Sequence, residues 1–306
     1  MKSSRNTPPN PEISIAVHGL TKSYGKVQAL RGIDLEVRTG EIFGFLGPNG
    51  AGKTTTIRCL LDMIRPDAGS ARVLGYDPQA DPVTVQALTG YLPGEVQYYE
   101  NMTAERQLRF YSDMRNGRAD WQYVQELAER LSLNMKQAIK NLSKGNKQKV
   151  GVIQALMHHP RLLLLDEPTS GLDPLIQQEV LSLLREANAQ GTTVFFSSHI
   201  MSEVESLAER VAIIRQGEIV ETAKTSILTS RSVRRLTVRL KRPASSQNIE
   251  QLPGVEVLPS SDETSITLQV TGDMERLVQA LGKYPVLDLE TSHPSLEETF
   301  LAYYKK

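Results

Sequence analysis

The sequence predicts an α/β protein. A mainly parallel sheet is covered by helices, with an antiparallel β subdomain before it, an α-helical lobe inserted into it and a small α+β domain after it. Three observations predict this. A glycine-rich loop, Gly47-Pro48-Asn49-Gly50-Ala51-Gly52-Lys53-Thr54, lies between an apolar run at 42–46 and a helix start at 55–61. A second apolar run, Leu162-Leu163-Leu164-Leu165, ends in two carboxylates, Asp166 and Glu167. Strand and helix patterns alternate up to about residue 224, and shorter elements without a catalytic constellation follow.

The elements follow in order. Residues 1–12 are polar, carry Pro8, Pro9 and Pro11, and are expected to be a disordered tail. Residues 13–20 and 33–37 alternate as strands, joined by a turn at Thr21-Lys22-Ser23-Tyr24-Gly25. From about residue 100 the pattern becomes helical. Thr103 caps a helix bearing Leu108, Tyr111 and Met114, and Asn116-Gly117 ends it. Residues 121–133 place Val124, Leu127, Ala128 and Leu131 on one face. A third helix starts near Ser143 and runs until Pro160, with Val150, Ile153, Gln154 and Met157 along its face. Residues 95–160 are therefore expected to form the inserted lobe.

The core resumes at 161–166, followed by a helix at 174–190, a strand at 192–197, a helix at 202–209 and a hairpin about Gln216-Gly217. The domain boundaries expected are 13–224 and 225–306. In the second domain Leu236, Val238 and Leu240 alternate, as do Ile266, Leu268 and Val270. Met274, Leu277, Val278 and Leu281 keep helical spacing, and Ser295 with Glu298 forms a capping box for a last helix. Arg231, Arg234, Arg235, Arg239, Lys241 and Arg242 form a charge run, expected to lie in part on a solvated strand face.

Composition narrows the class. Among 306 residues, 40% are hydrophobic, enough for a sizeable core. Lys plus Arg equals Asp plus Glu at 35 each, so no global charge points to nucleic acid, and none is expected as a partner. Cys59 is the only cysteine, which excludes an intrachain disulfide and suits a reducing compartment. No apolar run approaches the roughly 18 residues of a membrane span, so any membrane role is expected to come through a partner.

The glycine loop fits G-x-x-x-x-G-K-[ST], the phosphate-binding P-loop, in its confirming strand–loop–helix context. Glycines bring backbone N–H groups close to a ligand, and the helix N-terminus adds partial positive charge. Lys53 is expected to reach β- and γ-phosphates, and the Thr54 hydroxyl to ligate Mg²⁺ with Thr55 behind it. Asp166 emerges where open α/β sheets bind ligands, suited to hold Mg²⁺ opposite Thr54. Glu167 points elsewhere, suited to orient or deprotonate an attacking water. His199 follows the strand at 192–197 and is placed to meet a γ-phosphate or a water. Tyr24 offers an aromatic face to a purine ring. Ser143 opens the third lobe helix, a second anion-receiving end on the same chain. That end lies apart from the P-loop, so the nucleotide is expected to sit between two chains.

In order, these motifs resemble the ATP-binding subunit of an ABC transporter over roughly residues 13–222. Tyr24 matches the adenine-stacking aromatic, and Gly47 to Thr55 the Walker A loop. Leu142-Ser143-Lys144-Gly145-Asn146 matches the family signature, normally L-S-G-G-Q. The run ending at Glu167 matches Walker B with its catalytic glutamate, Ser170-Gly171-Leu172-Asp173 the D-loop, and His199 the switch histidine. The tail around Ser295-Leu296-Glu297-Glu298 is similar to the C-terminal extension of the ABC-2 exporter branch.

The resemblance implies a P-loop NTPase (RecA-like) core, ATP and Mg²⁺ as cofactors, and two subunits, homodimer or heterodimer, closing head-to-tail around two ATP molecules. Ser143 and Gly145 would act in trans, with Asp173 at the dimer contact. It also implies a separate transmembrane permease, met through the lobe near Tyr98, Tyr99 and Glu100, and a place at the cytoplasmic face of the cell membrane. Two motifs depart from the family. Gly94 stands where a metal-approaching glutamine is usual, which brings Glu95 or Gln97 forward as substitutes. Lys144 and Asn146 alter the signature. The alternatives are a non-transport ABC ATPase of the translation or DNA-repair type, and a catalytically weakened regulatory ATP-binding module.

Overall fold

The computed structural model describes residues 12–117, 119–230, 234–242, 249, 252–258, 264–270 and 274–292. The chain divides into two compact units, Met1–Ala223 and Lys224–Lys306. The expected N-terminal tail, Arg231 and the helix at Ser295 lie outside the described residues.

The first unit opens with β1 (Ile13–Tyr24) and β2 (Val27–Arg38), an antiparallel pair. β1 also pairs with β4 (Ala68–Val73), giving the order β2-β1-β4. The expected turn at 21–25 is thus corrected. The strand continues through Tyr24, which pairs with Val27, and the reversal needs only Gly25 and Lys26. Gly25 supplies the tight reversal at φ +60°, a conformation side chains disfavour. Tyr24 is therefore fixed at a strand end rather than on a loop.

The second sheet has six strands in the order β5-β6-β7-β3-β8-β9. They are β3 (Ile42–Leu46), β5 (Thr89–Leu92), β6 (Leu162–Asp166), β7 (Thr193–Ser198), β8 (Arg210–Arg215) and β9 (Glu218–Lys224). The β5–β6, β6–β7, β7–β3 and β3–β8 pairs are parallel. Every residue of β3, β6 and β7 is buried, as expected of strands covered on both faces. Phe43 stacks on Phe195 across β3 and β7, with ring centroids 5.9 Å apart. This order has a direct consequence. The strand before the glycine loop and the strand bearing Asp166 are separated by β7, so the end of β7 enters the site between them.

Helix α1 (Lys53–Leu60) starts two residues before the sequence pattern indicates, because the loop itself closes into its first turn. Helix α2 (Pro82–Leu88), capped by Asp81, and the strands β4 and β5 carry no strong apolar periodicity and were not expected as elements. The lobe contains α3 (Ala104–Met114), α4 (Trp121–Arg130) and α5 (Lys144–Leu156). Thr103 and Ser143 cap α3 and α5, each accepting from a backbone N–H three residues on. α5 stops at Leu156, ahead of Pro160. It lies directly on β5, where a Cβ at Gly90 would come 2.1 Å from the Ala155 carbonyl oxygen. Helices α6 (Pro174–Ala189) and α7 (Met201–Leu207) complete the unit. Arg130 of α4 grips α6, with a bidentate pair to Glu186 at 2.6 Å and a third bond to Glu179.

The second unit begins with α8 (Thr225–Ser230) and forms a four-stranded antiparallel sheet in the order β11-β12-β10-β13. These strands are β10 (Arg234–Leu240), β11 (Val255–Leu258), β12 (Ser265–Val270) and β13 (Val286–Ser292). Leu236, Val238, Leu240, Ile266, Leu268 and Val270 pack with Leu277 and Leu281 of helix α9 (Glu275–Leu281). Arg239 is exposed on β10, as strand alternation predicts, and Lys241 and Arg242 are exposed just beyond the strand.

One buried cluster joins α2 to the lobe. Arg115 donates to the carbonyls of Gln86, Ala87 and Thr89 and to His158 Nε2. A guanidinium only donates, so Nε2 accepts and His158 is neutral. Burial first, then the charges of Arg115 and His159, push its pKa down to about 4. An unfolded histidine titrates near 6.5, so the unfolded chain binds more protons between those values. Stability supplied by this site is therefore full above about pH 6.5 and lost as pH falls toward 4. Urea unfolding should show His158→Gln, which retains an acceptor, gaining on the order of 2 kcal/mol relative to wild type between pH 7 and pH 4.5.

Candidate active site

The carboxyl ends of β3, β6 and β7 meet at a cleft of about 440 Å³ lined by Tyr24, Ala29, Pro48, Asn49, Gly50, Gly52, Lys53, Thr54, Thr55, Gly94, Asp166 and Glu167. Gly47 and Ala51 build the loop beneath it. A Cβ at Gly47 would come 2.4 Å from the Ile214 carbonyl, so the loop must start with glycine. Gly50 and Gly52 have φ +79° and +115°, the positive values that curl the loop.

The acidic pair divides as strand geometry requires. Asp166, 2% exposed, accepts from Thr54 Oγ1 at 2.6 Å through Oδ2 and from the Ser197 hydroxyl through Oδ1. Glu167 turns away and sits at φ +53°. That left-handed backbone costs on the order of 1–3 kcal/mol in a non-glycine residue. Local hydrogen bonds hold it there. Its N–H donates to the Ser197 carbonyl and lies 3.2 Å from the Ser197 hydroxyl, and its carbonyl accepts from Gln148 Nε2 at 3.0 Å.

Glu167 Oε1 lies 3.1 Å from His199 Nδ1 and 3.6 Å from Lys53 Nζ. Lys53 is buried and donates to the Gly47 and Pro48 carbonyls. Its burial lowers the ammonium pKa, opposed by the charges of Glu167 and Asp166. One mouth thus gathers a cation, two carboxylates, a hydroxyl and an imidazole. That set can neutralise a polyphosphate and orient a water beside it. Thr54 and Asp166 offer two hard oxygens. Among the described residues no group of three acidic, His or Cys ligands exists that could hold a metal ion. Such a donor pair fits Mg²⁺, which takes one or two protein oxygens and completes its shell from phosphates and water.

Several expected residues lie elsewhere. Ser143 and Gly145 do not line the cleft. Ser143 is exposed at the start of α5, and Gly145 packs against the D-loop, where a Cβ would meet the Gly171 carbonyl at 2.6 Å. The methylenes of Lys144 lie over Gly171. Asp173 caps α6 by accepting from the Ile176 N–H at 3.1 Å. Gly94 lines the cleft beside Asp166, whereas Glu95 and Gln97 are exposed and outside its lining. Tyr98, expected as an exposed aromatic, is half-buried and donates to the Lys147 carbonyl, while Tyr99 is exposed. Burial pushes the Cys59 thiol up to about 11, so it packs rather than reacts. Ser197 and Gln148 were missed. A serine in an apolar strand and a glutamine on a helix carry no motif until the fold brings them to Asp166 and Glu167.

Residues 30–170 match the family model described as ABC transporter. A linearmycin resistance ATP-binding protein of Bacillus subtilis (strain 168) is 32% identical over 302 residues, covering 94% of this chain and 97% of that one. A daunorubicin/doxorubicin resistance ATP-binding protein of Streptomyces peucetius is 32% identical over 308 residues, covering 95% and 92%. A solved ATP-binding subunit of an ABC transporter superposes with a TM-score of 0.65 at 28% identity, covering 71% of this chain and 92% of that chain. A dimeric cassette bound to ADP and Pi shares the fold with a TM-score of 0.61 at 23% identity, over 69% and 98%. The relatives match along nearly their whole length and the P-loop site is intact, so the chain belongs to the ABC transporter family, as an ATP-binding and ATP-hydrolysing subunit.

Proposed function

We propose that this subunit powers an ABC-2 type exporter from the cytoplasmic face of the membrane, together with a separate transmembrane permease. The observation that carries the hydrolytic part is the convergence of Lys53 and His199 on Glu167, beside Asp166 bonded to Thr54. The exporter reading is supported by the drug-resistance names of the full-length relatives. Among the described residues no helix is long and apolar enough to cross a membrane, which gives the permease its place.

In this reading the loop N–H groups and Lys53 bind the phosphates, and the exposed face of Tyr24 stacks on the base. Thr54 and Asp166 would hold Mg²⁺, which when bound would supply charge neutralisation to the phosphates. Glu167 orients and deprotonates the attacking water, and His199 holds the Glu167 carboxylate in place. Ser143 and Gly145 do not line this cleft and Ser143 is exposed, which supports their acting on the nucleotide of a second subunit, homologous or identical. Glu95 is exposed and outside the cleft lining, so Thr54 and Asp166 alone are assigned the metal.

A second groove, about 580 Å³, runs between the core and the lobe. Met63, Val83 and Met114 on its rim are 54%, 76% and 68% exposed, an unusual run of apolar side chains on one face. This is where the permease is expected to dock.

Two outcomes follow. Lys53→Ala should weaken ATP binding at least tenfold, and Glu167→Gln should retain binding while turnover drops by at least about a hundredfold, read by equilibrium binding and phosphate release. Unchanged hydrolysis by Glu167→Gln would remove it as the base. Met114→Glu should leave the ATPase rate of the isolated subunit within about twofold and abolish co-purification with the permease, because a charge cannot be seated in an apolar contact.

A further inference from the structure

A buried carboxylate outside the catalytic cleft joins its two halves. Glu203 stands in the first turn of α7 and is 6% exposed. Its Oε1 accepts from the Thr169 hydroxyl, and its Oε2 accepts from the Ser198 hydroxyl at 2.7 Å. Both hydroxyl residues are 1% exposed, so neither bond is shared with solvent. Thr169 belongs to the turn that follows Glu167, and Ser198 immediately precedes His199. Ser198 Oγ also accepts from the Ile200 N–H at 2.9 Å, which fixes the backbone on the far side of His199. The helix beneath cannot drift, because α7 sits tightly on β3. A Cβ at Gly44 would meet Val204 Cγ1 at 2.9 Å and Ala208 Cβ at 3.2 Å.

The Glu167–His199 contact is itself partly exposed and joins two residues on separate turns. We propose that Glu203 is a positioning residue for ATP hydrolysis: one carboxylate, one oxygen to each side, holds the turn after Glu167 and the end of β7 before His199 at the separation their contact requires. A carboxylate suits this task because it accepts at both oxygens and cannot swing to donate. The inference rests on the hydrolytic reading of Glu167 and His199.

The test is steady-state ATP hydrolysis by the full chain. Glu203→Ala should lower kcat about 10- to 100-fold while KM for ATP stays within about threefold, since the P-loop contacts are untouched. Glu203→Gln, which keeps one acceptor and the same shape, should restore kcat to within about fivefold of wild type. In a His199→Ala background, Glu203→Ala should lower kcat by no more than about threefold further, because the pair it positions is already broken. Should Glu203→Ala fail to fold, Thr169→Val and Ser198→Ala each remove one bond and should each lower kcat about 3- to 10-fold. The proposal is overturned by wild-type kcat in Glu203→Ala, or in both single-bond variants. It is equally overturned by a full multiplicative loss in the His199→Ala background. An inactive Glu167→Gln measured alongside keeps the hydrolytic reading intact whichever way Glu203 falls.

Discussion

The carboxylate of Asp166 is the joint on which the site depends. One oxygen takes the Thr54 hydroxyl from the start of α1, and the other takes the Ser197 hydroxyl from the end of β7. Three chain segments far apart in sequence are thereby fixed within hydrogen-bond distance. The bonds are buried, where an unpaired carboxylate would be costly, so the arrangement is maintained by the penalty for breaking it as much as by the energy of forming it. Everything nearby takes its place from this joint. Glu167 departs into a strained backbone because the strand has ended, and Ser197 then braces its N–H. His199 arrives because β7 lies between the two motif-bearing strands.

Much of this was legible in the sequence, for a physical reason. Parallel strands buried on both faces need continuous apolar runs, and phosphate loops need glycines at fixed spacing, so β3, β6, β7 and the P-loop announce themselves. The interruptions of those patterns were equally telling at Asp166 and Glu167. What escaped was short or two-sided. β4, with its sequence Ala-Gly-Ser-Ala-Arg-Val, is defined by pairing with β1 rather than by its own periodicity. The extension of β1 through Tyr24 depends on Gly25 and Lys26 reversing the chain in two residues. Ser197, Gln148 and Glu203 are polar residues whose significance is a partner distant in sequence, so no local pattern marks them.

The two departures from the family pattern have different structural settings. Gly94 faces Asp166 so closely that a Cβ there would lie 3.1 Å from Oδ2, so a longer side chain would have to displace the carboxylate or be displaced by it. Lys144 instead lies along the D-loop glycine, where its stem packs and its ammonium stays exposed. The first departure concerns the subunit's own nucleotide. The second concerns the surface that the account assigns to the nucleotide of another subunit.

We propose accordingly that the P-loop cleft is half of a site, completed by Ser143 of a second chain. Light scattering on Glu167→Gln tests it most directly. ATP should double the particle mass from the 34.0 kDa of one chain, and adding Ser143→Arg should abolish the doubling while the P-loop still binds nucleotide. A particle that stays at one chain's mass with ATP bound, or that doubles regardless of Ser143→Arg, would contradict it.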